Sequence, residues 1–181
     1  MSAQNKEEKA TYLTFKLDNE TFALQVAHVR EVLDLSNITR VPRTPGFMRG
    51  VINLRGSVVP VVDMRKKFNL PEAEDTVDTC IIVVEVNLND DLTVIGALAD
   101  SVQEVFELAS DQIEPPPSLG TRLDTDFIKG MGKQGDQFII VLDLDRVFSV
   151  DELTRITDSD DLDPGKQSWD SVAESAENTA V

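Results

Sequence analysis

Three blocks of this chain recur in the same order, and that recurrence limits the fold more than any single segment does. "FMRG" (Phe47–Gly50) returns as "FIKG" (Phe127–Gly130), 80 residues later. At the same offset "VVPVVDMRKKF" (58–68) lies over "FIIVLDLDRVF" (138–148). At an offset of 73, "FALQVAHVREVLDL" (22–35) lies over "IGALADSVQEVFEL" (95–108). Chance matching of short apolar strands accounts for one such block far better than for three in register. The chain is therefore expected to build one unit twice. The two copies, of roughly 70 residues each, cover about 11–76 and 77–150 and pack about a pseudo-twofold axis.

The local pattern says what the unit is made of. In "YLTFKL", Leu13, Phe15 and Leu17 alternate with Tyr12, Thr14 and Lys16, and "FALQV" continues the period of two after a turn at Asp18-Asn19. "CIIVVEV" (80–86) and "LTVIGALA" (92–99) form a second pair around the turn-rich 87–91. Short helices are expected near Ala27–Leu33, Met64–Phe68 and Asp151–Ile156. Many short strands punctuated by Gly and Pro indicate an all-β fold of two small tandem barrels rather than a layered α/β sheet.

Both ends read as unstructured. Residues 1–10 are polar, and 158–181 hold seven acidic side chains against one lysine. Segments of that kind bury too little apolar surface to offset their ordering entropy. Trp169, the only tryptophan, is an unusual residue for a tail whose sole role is solubility. The folded part is then 11–157. A formal net charge of −16 argues against nucleic acid and against anionic lipid surfaces as partners, and favours proteins. One cysteine, Cys80, cannot form an internal disulfide, and no apolar run is long enough to cross a bilayer. A cytoplasmic location is expected.

Catalytic chemistry finds little to stand on. His28 is the only histidine, and with one Cys there is no nucleophile–base set apart from its neighbourhood. "GMGKQG" (130–135) fits G-x-G-x-x-G, but a strand rather than a helix follows it, so the nucleotide reading fails. The acidic "DSDDLD" lacks the glycine and closing glutamate of a calcium loop. Asp143 recurs from Asp63, which points to a structural cap rather than to an acid–base pair. No catalytic residue, metal site or cofactor is expected.

The copies diverge at one turn. Copy one reads "VINLRGS" where copy two reads "MGKQGDQ", so Asn53, Arg55 and Gly56 stand against Lys133, Gly135 and Asp136. A turn with only an architectural role would tolerate similar residues in both copies. Glu31, in "VREV", recurs as Glu104, whereas Arg55 has no counterpart. An ion pair between Glu31 and Arg55 is therefore expected in copy one alone.

The stretch "FMRGVINLRGSVVPVVDMRKKF" resembles the signature region of the CheW family, the bacterial chemotaxis coupling (adaptor) proteins. The resemblance continues through "VREV", "DSVQEVFELASDQIEPPP" and "FIKGMGKQGDQFIIVLDLDRVF", from about Thr11 to Phe148. It implies two intertwined SH3-like five-stranded β-barrels. It also implies an adaptor that bridges the cytoplasmic tip of chemoreceptors and the regulatory domain of the histidine kinase CheA, in arrays that include further CheW copies at the inner membrane. By the same resemblance Val29, Glu31 and Val32 lie near the groove between the barrels. Asn53, Arg55 and Gly56 form the hairpin that faces the receptor, and Arg49 and Gly50 lie on the barrel that the kinase contacts. Val29 and Val32 also suit plain burial. An adaptor of a parallel system, in surface motility or biofilm control, is the alternative; a small-molecule-binding barrel or enzyme is the least favoured reading. The acidic tail lies outside the resemblance.

Overall fold

The computed structural model describes residues 8–116 and 127–148. The expected helix at 151–156, the acidic tail and Trp169 lie outside the described residues. Among the described residues eleven strands run in chain order: β1 (Lys9–Leu17), β2 (Glu20–Gln25), β3 (Val29–Asp34), β4 (Met48–Leu54), β5 (Ser57–Asp63), β6 (Cys80–Leu88), β7 (Asp91–Ala99), β8 (Ser101–Ala109), β9 (Ile113–Glu114), β10 (Ile128–Gln134) and β11 (Gln137–Leu142). Two single-turn helices, α1 (Met64–Lys67) and α2 (Leu144–Val147), follow β5 and β11. The first strand begins at Lys9, which pairs with Ala109, so the folded part starts earlier than expected.

The strands form two curled sheets, in the orders β8-β1-β2-β11-β10-β9 and β3-β6-β7-β5-β4. Matching β1 with β6, β2 with β7, β3 with β8, β4 with β10 and β5 with β11 turns one order into the other. In each sheet the only parallel pairing is the matched one, β11 with β2 and β5 with β7. Each β4-like strand carries a bulge at the same place, Met48/Gly50 and Ile128/Gly130. Even the two-residue β9 has a counterpart, the isolated bridge of Thr39 to Val51. The repeat read in the sequence is thus a pseudo-twofold repeat of structure.

The intertwining that the family resemblance implies takes a definite form: the copies are tandem in sequence, but the sheets are not built one per copy. After the β1–β2 hairpin, β3 leaves and pairs with β6, and after the β6–β7 hairpin, β8 returns to pair with β1. The units have exchanged their third strands. One expectation needs correcting, that "VREV" lies in a helix. Only Val26–His28 make a 3-10 turn, and Val29–Asp34 are strand β3. Pairing with β6 decides the conformation there, overriding a short stretch of ambiguous periodicity.

The core explains why "CIIVV" (80–84) is apolar throughout. Ile82, Val84 and Val86 enter the largest cluster with Phe15, Leu17, Phe22, Leu24 and Phe148. Ile81 and Val83 point the other way, into a smaller cluster with Ile52, Val59, Val61 and Leu98 inside the second sheet's curl. Strand β1 behaves alike: Leu13, Phe15 and Leu17 join the shared cluster, while Tyr12 joins Leu108, Ile139 and Val141 within the first sheet. Both faces of a strand between two clusters must be apolar. The shared cluster draws on both sheets, and a ladder of stacked rings runs through it: Phe15–Phe22, Phe22–Phe68 and Phe68–Phe127, with centroids 5.8, 5.6 and 4.8 Å apart.

The two aspartates expected as caps differ. Asp63 is buried, and its Oδ1 accepts from the backbone N–H of Arg65 at 3.0 Å and of Lys66 at 3.3 Å. Asp143 holds the same position before α2 but makes no side-chain cap bond, lying 3.6 Å from Arg146 instead. Asp63→Ala is therefore expected to cost about 1–2 kcal/mol and Asp143→Ala about half that or less. Paired urea denaturation curves of the two variants measure the difference.

Candidate functional site

The divergent turn between β4 and β5 is a two-residue hairpin loop in which Leu54 pairs with Ser57. Arg55 and Gly56 have φ of 51° and 86°, so both central residues are left-handed, as a type I′ turn requires. In the β10–β11 turn only Gly135 has positive φ, 58°. That pattern fits a type II′ turn, with Asp136 in ordinary backbone. Asn53 supports the first turn by accepting the Gly56 N–H on Oδ1 at 2.8 Å. The roles of Asn53 and Gly56 are accounted for by the turn itself. Arg55 is different, because a left-handed backbone at a non-glycine residue costs about 1–2 kcal/mol. Glycine would suit that position better.

What Arg55 does there is visible. Its Nη1 donates to Glu31 Oε1 at 3.0 Å and its Nη2 to Glu31 Oε2 at 3.3 Å, a two-pronged contact. Glu31 sits on β3, at one edge of the five-stranded sheet, and the turn joins the two strands at the other edge. The pair clips the curled sheet shut. The Arg55 side chain nevertheless stays 78% exposed and Glu31 25%. A guanidinium so held keeps free N–H donors at the surface.

Among the described residues the ion pair is confined to copy one, as expected, but copy two makes a neutral contact in the same place. Glu104, on the edge strand β8, accepts from Gln134 Nε2 at 2.7 Å, and Gln134 flanks the β10–β11 turn. Geometry repeats while charge does not. Copy two closes with a neutral donor on the strand, copy one with a cation in the turn itself. An offset of 80 pairs Gln134 with Leu54, which is why residue-by-residue comparison of the turns missed it.

Val29 and Val32 also part ways. Val29 packs against the shared core, while Val32 is 43% exposed. A bulge between Val29 and Glu31 puts the two out of simple alternation. Val58, opposite Asn53 in the hairpin, is 67% exposed. Their counterparts Val105 and Phe138 are exposed as well, at 56% and 58%. Val58 was readable in "GSVVPVV" as the outward member of an alternating pair.

Arg49 and Gly50, on β4, serve the fold visibly. Gly50 has φ +148°, and a Cβ there would lie 2.2 Å from the Thr39 carbonyl oxygen. Thr39 and Val51 exchange both backbone hydrogen bonds, 2.9 and 2.8 Å, across that contact. At Gly130 a Cβ would meet Ile113 and Glu114 of β9 in the same way, at 2.4 and 2.6 Å. The repeated glycine therefore reflects close backbone approach. Arg49 pairs with Asp75 and lies 3.7 Å from the capping Asp63. His28, read as a helix residue, sits in the 3-10 turn with Nδ1 3.1 Å from the Glu85 carbonyl oxygen, a structural contact. Among the described residues no group of three or more His, Cys, Asp or Glu could hold a metal, and no helix is long and apolar enough to cross a membrane.

A family model described as the CheW-like domain matches residues 11–152. The chain belongs to the CheW-like family. Within it, the chain is 35% identical to the chemotaxis protein CheW of Bacillus subtilis over 136 residues, covering 75% of this chain and 84% of that one. It is 33% identical to the chemotaxis protein CheW of Klebsiella aerogenes over 145 residues, covering 80% and 85%. It is also 30% identical to protein FrzA of Myxococcus xanthus over 120 residues, covering 66% and 72%. The crystal structure of the scaffolding protein TtCheW from Thermoanaerobacter tengcongensis superposes with a TM-score of 0.70 at 35% identity, covering 80% of this chain and 96% of that one. Family likeness spans both sheets and the divergent turn alike.

Proposed function

We propose that the protein is a non-catalytic adaptor that couples the cytoplasmic tips of chemoreceptors to the regulatory domain of the histidine kinase CheA. It acts in the cytoplasm, at inner-membrane receptor arrays that it helps to build with further copies of its own kind. The observation that carries this reading is Arg55: a strained, exposed arginine clipped to Glu31 at a surface turn, in a family of chemotaxis scaffolds. Strain of that size persists where the surroundings hold it and function uses it. The receptor-facing residues are Arg55, Glu31 and the exposed Val32, with Val29, Asn53 and Gly56 supporting them from beneath. Arg49, held by Asp75, and Gly50 beside it on β4 belong to the kinase-facing side. The likeness to FrzA favours one second reading, the same adaptor role in a parallel system controlling surface motility or biofilm.

A pull-down of the tagged full chain from its native cytoplasm tests the proposal. Recovery of both a receptor and a kinase is the expected result, and their identity separates chemotaxis from the parallel system. Recovery of neither, together with a tight small-molecule ligand by native mass spectrometry, overturns the adaptor reading.

A further inference from the structure

Inside the first sheet's curl the packing is incomplete. A cavity of about 560 Å³ opens there between the start of β1, the end of β8 and β9. Leu108 and Ile113 give it an apolar wall, and Tyr12 lines it as well. Tyr12 is only 1% exposed, yet among the described residues its hydroxyl makes no hydrogen bond. No side-chain nitrogen or oxygen of those residues is both wholly buried and unbonded, so the hydroxyl is the part of Tyr12 that reaches the cavity.

The other sheet shows that the fold does not ask for this. Tyr12 pairs with Gln25 across β1 and β2, and Gln25 also lines the cavity. The matching pair across β6 and β7 is Ile81 with Leu98, both buried in the second sheet's apolar cluster. Aliphatic side chains thus stand in the second sheet where the first holds a phenol and an amide. Charge differs in the same way. Lys129 on β10 matches Arg49, which Asp75 holds. Among the described residues Lys129 has no carboxylate partner, and its Nζ lies 6.0 Å from the centre of the Tyr12 ring. Lys9, at the start of β1, is likewise unpaired and lines the cavity with it, and Glu8 is the one acid in that lining.

We propose that this cavity binds a small organic carboxylate, with its charge on Lys129, Lys9 and the Tyr12 hydroxyl and its apolar body against Leu108 and Ile113. Phenol and ammonium groups both donate to an anionic oxygen. A hydroxyl held in apolar surroundings without a partner costs free energy that such a contact offsets. Two lysines against one glutamate leave the lining at +2 − 1 = +1, which suits a monoanion better than a dianion. An apolar wall with a few convergent polar groups is the usual make-up of a small-molecule site. The cavity belongs to the first sheet and the Arg55–Glu31 clip to the second. A ligand here leaves the clip free, so the adaptor reading neither requires nor excludes it.

Fluorine NMR of para-fluorobenzoate titrated with the full chain tests this. The neutral para-fluorobenzyl alcohol and the more highly charged para-fluorophenyl phosphate serve as comparison compounds. Saturable binding of the carboxylate is expected, with a Kd on the order of millimolar for a ligand of about ten non-hydrogen atoms. Both comparison compounds should bind more weakly. Tyr12→Phe and Lys129→Gln are each expected to weaken carboxylate binding about tenfold. Lys133→Gln, on the same strand as Lys129 but outside the cavity, should leave it unchanged. Tyr12→Phe should also hold or raise the melting temperature, because the hydroxyl it removes has no partner in the fold. Absence of saturable carboxylate binding overturns the proposal, as does binding of either comparison compound at equal or higher affinity. Binding that neither Tyr12→Phe nor Lys129→Gln changes overturns it too. So does a fall in melting temperature with Tyr12→Phe, which would assign the hydroxyl to the fold.

Discussion

Residues 1–76 alone are expected not to fold. A cut after Thr76 falls between the sequence repeats, where a tandem two-domain protein would tolerate it. Here it severs four strand pairings at once: β1 with β8, β2 with β11, β3 with β6 and β5 with β7. What remains in the first half are the β1–β2 and β4–β5 hairpins, joined by no strand between them. Isolated hairpins are marginal in water. The shared core suffers equally, because Phe15, Phe22 and Met64 lose Ile82, Val84, Ile95 and Phe148. With total stabilities of about 5–15 kcal/mol for a domain, no fraction of this network suffices. The fragment should show neither a cooperative urea transition nor dispersed amide resonances, and mixing it with 77–181 should restore both. A sharp transition from the first half alone would mean that each repeat is its own domain.

The second large effect is expected at Gly50. Substitution by alanine places a methyl group 2.2 Å from a backbone oxygen, at a φ of +148° that side chains rarely adopt. Neither Thr39 nor Val51 can withdraw without giving up the paired bonds that fix the 35–47 loop to β4. Overpacking and backbone strain together should cost about 3 kcal/mol or more. Gly56→Ala is the control. Its Cβ meets nothing within 4 Å, so only the left-handed φ is penalised, at about 1–2 kcal/mol. Thermal unfolding of both variants measures the gap. Equal losses would show that φ, and not the Thr39 contact, dictates Gly50.

How far the sequence could be read depended on whether a signal was local or paired. Repeats, alternation in β1 and β2, and the Asp63 cap are written in adjacent residues, so the all-β repeat and its pseudo-symmetry were legible. Which strands the two units exchange was not. Nothing in "VREV" says that β3 joins β6 rather than its own hairpin, because that choice depends on loop 26–28 and on a partner 50 residues away. The same limit applies at the site. Glu31 and Arg55 could be matched by charge and by their asymmetry between copies. The Glu104–Gln134 contact joins a carboxylate to a neutral amide, a pairing with no sequence signature. The steric requirement at Gly50, a close backbone neighbour, is likewise invisible until Thr39 is in place.

Arg55 is kept for a partner and not for the fold. Calorimetric titration of the full chain with a receptor signalling tip and with the kinase's regulatory domain tests it most directly. Being exposed, the Arg55–Glu31 pair should add only about 0–1 kcal/mol to stability. Arg55→Ala is then expected to leave the melting temperature nearly unchanged. Arg55→Gly, which relieves the left-handed strain, should hold or raise it. Both should weaken receptor or ternary-complex binding by about 1–3 kcal/mol, roughly five- to 150-fold, while Lys133→Ala in the matching turn of copy two stays near wild type. Equal effects of Arg55→Ala and Lys133→Ala on binding, or a collapse of stability with no specific binding loss, would contradict the claim.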